Sequence, residues 1–200
     1  MAKGSGGTRG ASGGGGMSIG ARQLANRYLG EIKNPALKKS LAEGLEDFEK
    51  EFGIPEGIKV STSDLGEVAL GNYNGLGKIT INSKFESGQK DATTAKRVII
   101  HELAHAIDRT SIGRNTAEWS TKNENKLVLK QEYKPFEKSL AAGYKKFKLN
   151  YGTTATKQIG SYALTNKHEF FAEAISHHLT GTVNPYTTGA YNLAKKMTGK

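Results

Sequence analysis

The sequence predicts an α+β domain, and three features predict it. Two amphipathic stretches at residues 19–32 and 35–52 read as helices, and three short strand-like pieces follow at 58–62, 67–73 and 78–82. A longer apolar stretch, from about 93 to 109, then reads as a helix crossing the core, with further helical sequence beyond it. In the second helix Leu37, Leu41, Leu45 and Phe48 recur at helical spacing, Pro35 suits a first turn, and Gly53 with Pro55 ends the run. The strands at 67–73 and 78–82 are joined through Asn74, Gly75, Leu76 and Gly77 as a predicted hairpin. Ala95, Val98, Ile99, Ile100, Leu103, Ala104 and Ile107 give the long helix its apolar body.

Length and composition bound the rest. The chain has 200 residues, which suits one domain, read here as 17–200, with a sizeable core. Eight of the first sixteen residues are glycine, so 1–16 is expected to be a flexible tail, because ordering it costs entropy and buries nothing. Cysteine is absent, which excludes disulfides and thiolate metal sites. No apolar run approaches the roughly 20 residues of a membrane span, and the N-terminus lacks the apolar core of a signal peptide. The expectation is a soluble protein, with phage association or non-classical export left open. The formal net charge is +10, and residues 121–157 hold nine Lys against three Glu, with Phe136, Leu140, Tyr144 and Phe147 marking one apolar helix face. Such a run is either a solvated helix face or a basic rim for an acidic or anionic partner. No nucleic-acid motif accompanies it.

The chemistry is concentrated at His101-Glu-Leu-Ala-His105. On a helix the i, i+4 spacing brings both imidazoles to one face, where each offers a ring nitrogen to the same tetrahedral metal. Glu102 then lies beside the metal, where a general base takes a proton from metal-activated water. Two histidines and a glutamate inside so apolar a helix are costly to bury unless a metal or hydrogen bonds satisfy them. Glu169 and Glu173 are again i, i+4, on a segment with Phe170, Phe171, Ala172, Ala174 and Ile175 as its apolar body. A carboxylate from this second helix completes a three-ligand site with an open fourth position. His168 points about 100° away around the helix from Glu169. His177 and His178, at the helix end, compete with Glu169 for the metal.

The two motifs together, H-E-x-x-H and S-Y-x-x-T-N-x-x-E-F-F-A-E-A, resemble the catalytic domain of anthrax lethal factor and related gluzincins, a group with toxin-like and phage-encoded members. The resemblance covers about residues 101–175. It implies a zincin-like fold, in which N-terminal helices, a short twisted sheet and the active-site helix precede a helical C-terminal part. It implies one Zn2+ per chain on His101, His105 and Glu169, with Glu102 as base. By the same resemblance Tyr162 is the hydroxyl that stabilises the oxyanion or leaving group, and Glu173 holds a ligand histidine. In that architecture an edge strand beside the cleft pairs with an extended substrate, and 67–73, with Val68, Leu70 and Tyr73, is the candidate.

Two functions are therefore expected. The first is a zinc-dependent endopeptidase acting on a peptide or protein substrate. The alternative is a phage head-associated or other structural or binding protein that keeps a zincin fold around a non-catalytic zinc.

Overall fold

The computed structural model describes residues 16–111 and 134–200. The expected tail therefore lies, apart from Gly16, outside the described residues, as does 121–133 of the basic segment. In chain order the elements are α1 (Ile19–Tyr28), α2 (Pro35–Phe52), β1 (Lys59–Ser63), β2 (Gly71–Tyr73), β3 (Lys78–Asn82) and α3 (Ser83–Glu86). A 3₁₀ turn at Ala92–Thr94 leads into α4 (Ala95–Ser111), followed by α5 (Lys134–Leu149) and α6 (Thr154–Lys157). A second 3₁₀ turn, Tyr162–Leu164, precedes α7 (Lys167–Leu179) and α8 (Pro185–Thr198). The fold is α+β, with a small three-stranded sheet.

Local chemistry sets most boundaries. Asn34 accepts the amides of Ala36 and Leu37 and Pro35 follows it, so α2 starts where the sequence places it, and Gly53 closes it at a positive φ of 75°. The first helix is shorter than expected, ending at Tyr28 instead of residue 32. Leu29 and Ile32 are buried beyond its end, which continues the apolar spacing without the helix, and the Lys33 and Asn34 amides donate to Glu86.

The sheet runs β1-β3-β2, with β3 in the middle, parallel to β1 and antiparallel to β2. Tyr73 pairs with Ile79 across the hairpin, while Ile79 and Ile81 are fully buried. The strand expected at 67–73 is confined to Gly71–Tyr73. Ahead of it, Asn82 of β3 holds the chain: its backbone amide donates to the Leu70 carbonyl, and its side-chain amide to the carbonyls of Gly66 (2.8 Å) and Ala69 (2.6 Å).

The core is built around α4, which packs against α7 on one side and α2 on the other. Ile99, Ile100, Leu103, Ala104 and Ile107 are buried there. The apolar face of α5 presents Leu140 and Phe147 inward, with the Phe147 ring 4.9 Å from Phe170 and 5.7 Å from Tyr186. Its lysines 138, 145, 146 and 148 face outward. Among the described residues no helix is long and apolar enough to cross a membrane.

The close crossing of α2 and α4 depends on Gly44. A Cβ there would stand 2.5 Å from Ile99 Cγ2 and 2.8 Å from the Lys96 carbonyl oxygen, and backbone cannot swing aside as a side chain can. Gly44→Ala is therefore expected to destabilise by about 1–3 kcal/mol, although alanine is the better helix former by about 1 kcal/mol. Urea denaturation measures this, and a midpoint equal to or above the parent's would contradict the packing argument.

Candidate active site

Helices α4 and α7 each bring donors to one point. His101 and His105 stand a turn apart on α4, their rings 4.8 Å apart and nearly perpendicular. Asn166 caps α7 by accepting the amides of His168 and Glu169, which places Glu169 in the first turn, where the helix dipole favours a carboxylate. His101 Nε2, His105 Nε2 and Glu169 Oε2 form a nearly equilateral triangle with sides of 3.1, 3.2 and 3.2 Å. Ligands about 2.0 Å from a tetrahedral zinc stand about 3.3 Å from one another, so the triangle has the size of a three-ligand face. Among the described residues this is the group whose donor atoms meet closely enough to hold a metal.

The surroundings orient these donors. His101 Nδ1 stands 3.3 Å from Glu173 Oε1, which directs the other ring nitrogen toward the triangle. Burial opposes the charged form of His101, but hydrogen bonds to Glu169 and Glu173 and the charge of Glu102 raise its pKa to about 9. Burial likewise opposes ionisation of Glu169 and Glu173, yet hydrogen bonds to the histidines hold both below the usual carboxylate range. The two imidazoles and the Glu169 carboxylate together make a donor set suited to a cation. Glu102 is only 5% exposed, and burial pushes its carboxyl upward despite the neighbouring histidines and the Tyr73 amide that donates to it.

Tyr162 stands at the mouth, 57% exposed, its ring 6.0 Å from that of His101. Partial burial raises its pKa, and the Glu169, Glu102 and Glu173 carboxylates add to that. His177 Nε2 lies 3.6 Å from Glu173, with Nδ1 3.4 Å from Thr182 Oγ1, while His178 stacks on Tyr191 at 4.4 Å. Neither joins the triangle.

A cleft of about 480 Å³ adjoins the triangle, between α4 and the segment leading into β2. Val68 and Leu70 line it, whereas the Tyr73 side chain does not. Tyr73 is turned into the core, and its hydroxyl accepts the Gly77 amide inside the hairpin. Its expected role at a substrate edge is replaced by its backbone amide, which donates to Glu102.

Four residues were not read from the sequence. Gly71 lets β2 lie against α4: a Cβ there would stand 2.7 Å from Val98 Cγ1 and 2.8 Å from Glu102 Oε1. A glycine inside a strand is the available signal for so close an approach. Asn82 clamps the cleft wall, as described above. Asp108, one turn past His105 and almost fully buried, lies 2.6 Å from His168 Nδ1 and ties α4 to α7 beside Glu169. Arg97, one turn before His101, lines the cleft beside Glu173.

Two outcomes follow from this geometry. Glu173→Ala should weaken metal retention by roughly 10–100-fold, since an oriented ligand histidine loses its partner. Dialysis against graded chelator followed by metal analysis measures it, and retention equal to the parent's would refute the positioning role. Gly71→Ala should leave metal content intact while any turnover falls by at least about tenfold, because the new methyl meets the Glu102 carboxylate. Unchanged turnover would show that Glu102 has room to spare.

No curated protein and no solved structure matches the chain. A family model does, over residues 56–181, a span that includes His101, Glu102, His105, Tyr162, Glu169 and Glu173. The chain belongs to the family described as glucose-regulated metallo-peptidase M90, and is by that membership a metallopeptidase.

Proposed function

We propose that the chain is a zinc-dependent endopeptidase of gluzincin type, with His101, His105 and Glu169 as ligands. The observation that carries this reading is the triangle of three donors with Glu102 buried beside it and a cleft opening from it. The order of the two motifs along the chain, which resembles that of lethal-factor-like gluzincins, supports it as well. When bound, zinc would supply Lewis acidity to a peptide carbonyl and to water.

The rest is done by side chains. Glu102 takes a proton from the attacking water and returns it to the leaving amine, and its raised pKa brings it closer to a neutral working range. Tyr162, exposed at the mouth, donates its hydroxyl to the carbonyl oxygen as negative charge develops there. Glu173 keeps the His101 ring in the tautomer whose Nε2 lone pair faces the triangle. The segment leading into β2 offers an extended substrate the apolar side chains of Val68 and Leu70. A purely structural zinc would call for a fourth protein ligand, and it gives a buried Glu102 no task.

Glu102→Gln should retain fold and metal, being nearly isosteric and not a ligand, while peptide hydrolysis falls by several orders of magnitude. Cleavage of an unbiased peptide library by parent and variant, with and without chelator, checks this. Parent-like cleavage by the variant would remove Glu102 from the base role.

Tyr162→Phe is expected to lower kcat by roughly 10²–10³ with KM and metal content nearly unchanged, as when one oxyanion donor is lost. A tyrosine with only a structural hydrogen bond would instead cost about 1 kcal/mol of stability with little change in rate, so melts and kinetics on one preparation separate the roles.

A further inference from the structure

The cleft has one apolar wall and one cationic end. Leu65, Val68 and Leu70 form the wall, opposite Val98 of α4, and Val68 is 92% exposed to whatever enters. The wall is built in advance: the fully buried Asn82 donates to two of its carbonyls and its own amide donates to the Leu70 carbonyl at 3.0 Å. Lys84 pairs with Glu67, and Lys90 Nζ donates to the Glu67 carbonyl at 3.2 Å. A cleft of about 480 Å³ exceeds what a small side chain fills, so this wall suits a bulky apolar one.

Arg97 also lines the cleft, beside Glu173. Its guanidinium is about half exposed and reaches Glu173 Oε2 only at 3.9 Å, beyond hydrogen-bond range. Glu173 is itself buried and shared with His101 and His177, so it leaves most of the guanidinium's five donors to other acceptors. Arg97 precedes His101 by four residues, a helical rise of about 6 Å, which an extended chain covers in about two residues of about 3.3 Å each. A planar cation 3.9 Å from the carboxylate that touches His101 lies near the triangle, and it suits a planar, bidentate anion.

We infer that the cleft selects peptides carrying a bulky apolar side chain next to the scissile bond and a carboxylate one or two residues away, held by Arg97. The carboxylate can be an Asp or Glu side chain, as an endopeptidase meets it, or a free C-terminus, in which case cleavage is at the chain end; the two share this chemistry. The inference rests on the peptidase reading for its orientation toward a scissile bond.

The test uses matched synthetic peptides with Leu or Phe at the cleavage position. One pair differs as free C-terminal acid against carboxamide, and a second as internal Glu against Gln at the same distance. A third comparison replaces Leu or Phe by Ser. Affinity is measured by titration against the metal-loaded Glu102→Gln protein, and cleavage against the parent protein.

The acid member of at least one pair should bind at least tenfold more tightly than its neutral partner, and which pair responds identifies the carboxylate's source. Leu or Phe should bind at least tenfold more tightly than Ser. In the Glu102→Gln background Arg97→Gln should bring the acid and neutral members within twofold of each other. Leu70→Ser should do the same for the Leu and Ser peptides. Equal affinity for acid and neutral members, or a preference that survives Arg97→Gln, would overturn the carboxylate assignment. Equal losses for both members would place Arg97 behind Glu173 as a positioning residue only, and would overturn it too. Absence of cleavage of every peptide by metal-loaded parent, with Arg97-dependent binding intact, would count against the peptidase reading alone.

Discussion

The packing of α4 against α7 is the constraint on which the rest depends. Each helix alone carries an incomplete set: two imidazoles and a carboxylate on one, two carboxylates on the other. Their apolar bodies bring the sets together, because Ile100, Leu103 and Ala104 on one side and Phe171, Ala172 and Ile175 on the other are removed from water. Three donor atoms then meet within 3.2 Å of one another at the edge of a dry core, where leaving them unpaired costs more than in water. The Asp108–His168 contact fixes the same helix pair a turn beyond the triangle, so the relative rotation of the helices is set on both sides of the site.

The sheet serves this helix pair. It is too small to be a layer of its own, and β2 is placed so that its backbone touches the helix carrying Glu102. The Tyr73 amide holds Glu102 by hydrogen bond, and Gly71 clears the room for it. The same approach borders the cleft between α4 and residues 65–70, so the placement of Glu102 and the opening of the cleft come from one contact.

What the sequence shows of this site follows how local each contact is. His101, Glu102 and His105 are legible because their relation is fixed by one helical turn, and α2 is legible because its cap, proline and terminal glycine are all adjacent in the chain. Glu169 is 64 residues beyond His105 and was reached only through a second motif. The sequence overextends the strand at 67–73, because local strand preference does not reveal that Asn82 claims the carbonyls of Gly66 and Ala69. The resemblance places Tyr73 at the cleft, whereas the hairpin turns its ring inward. Asp108 and Arg97 acquire meaning only once the helices are packed, since nothing in their own neighbourhood marks them apart from other charged helix residues.

The central claim is that three donors from two helices hold one catalytic metal and leave a position open. X-ray absorption and anomalous diffraction at the zinc edge on the zinc-loaded protein test it most directly. The account predicts one ion per chain, with two imidazole nitrogens and a carboxylate oxygen at about 2.0–2.1 Å and solvent at the remaining position. An ion closed by a fourth protein ligand, or one seated on His177 or His178, would contradict it.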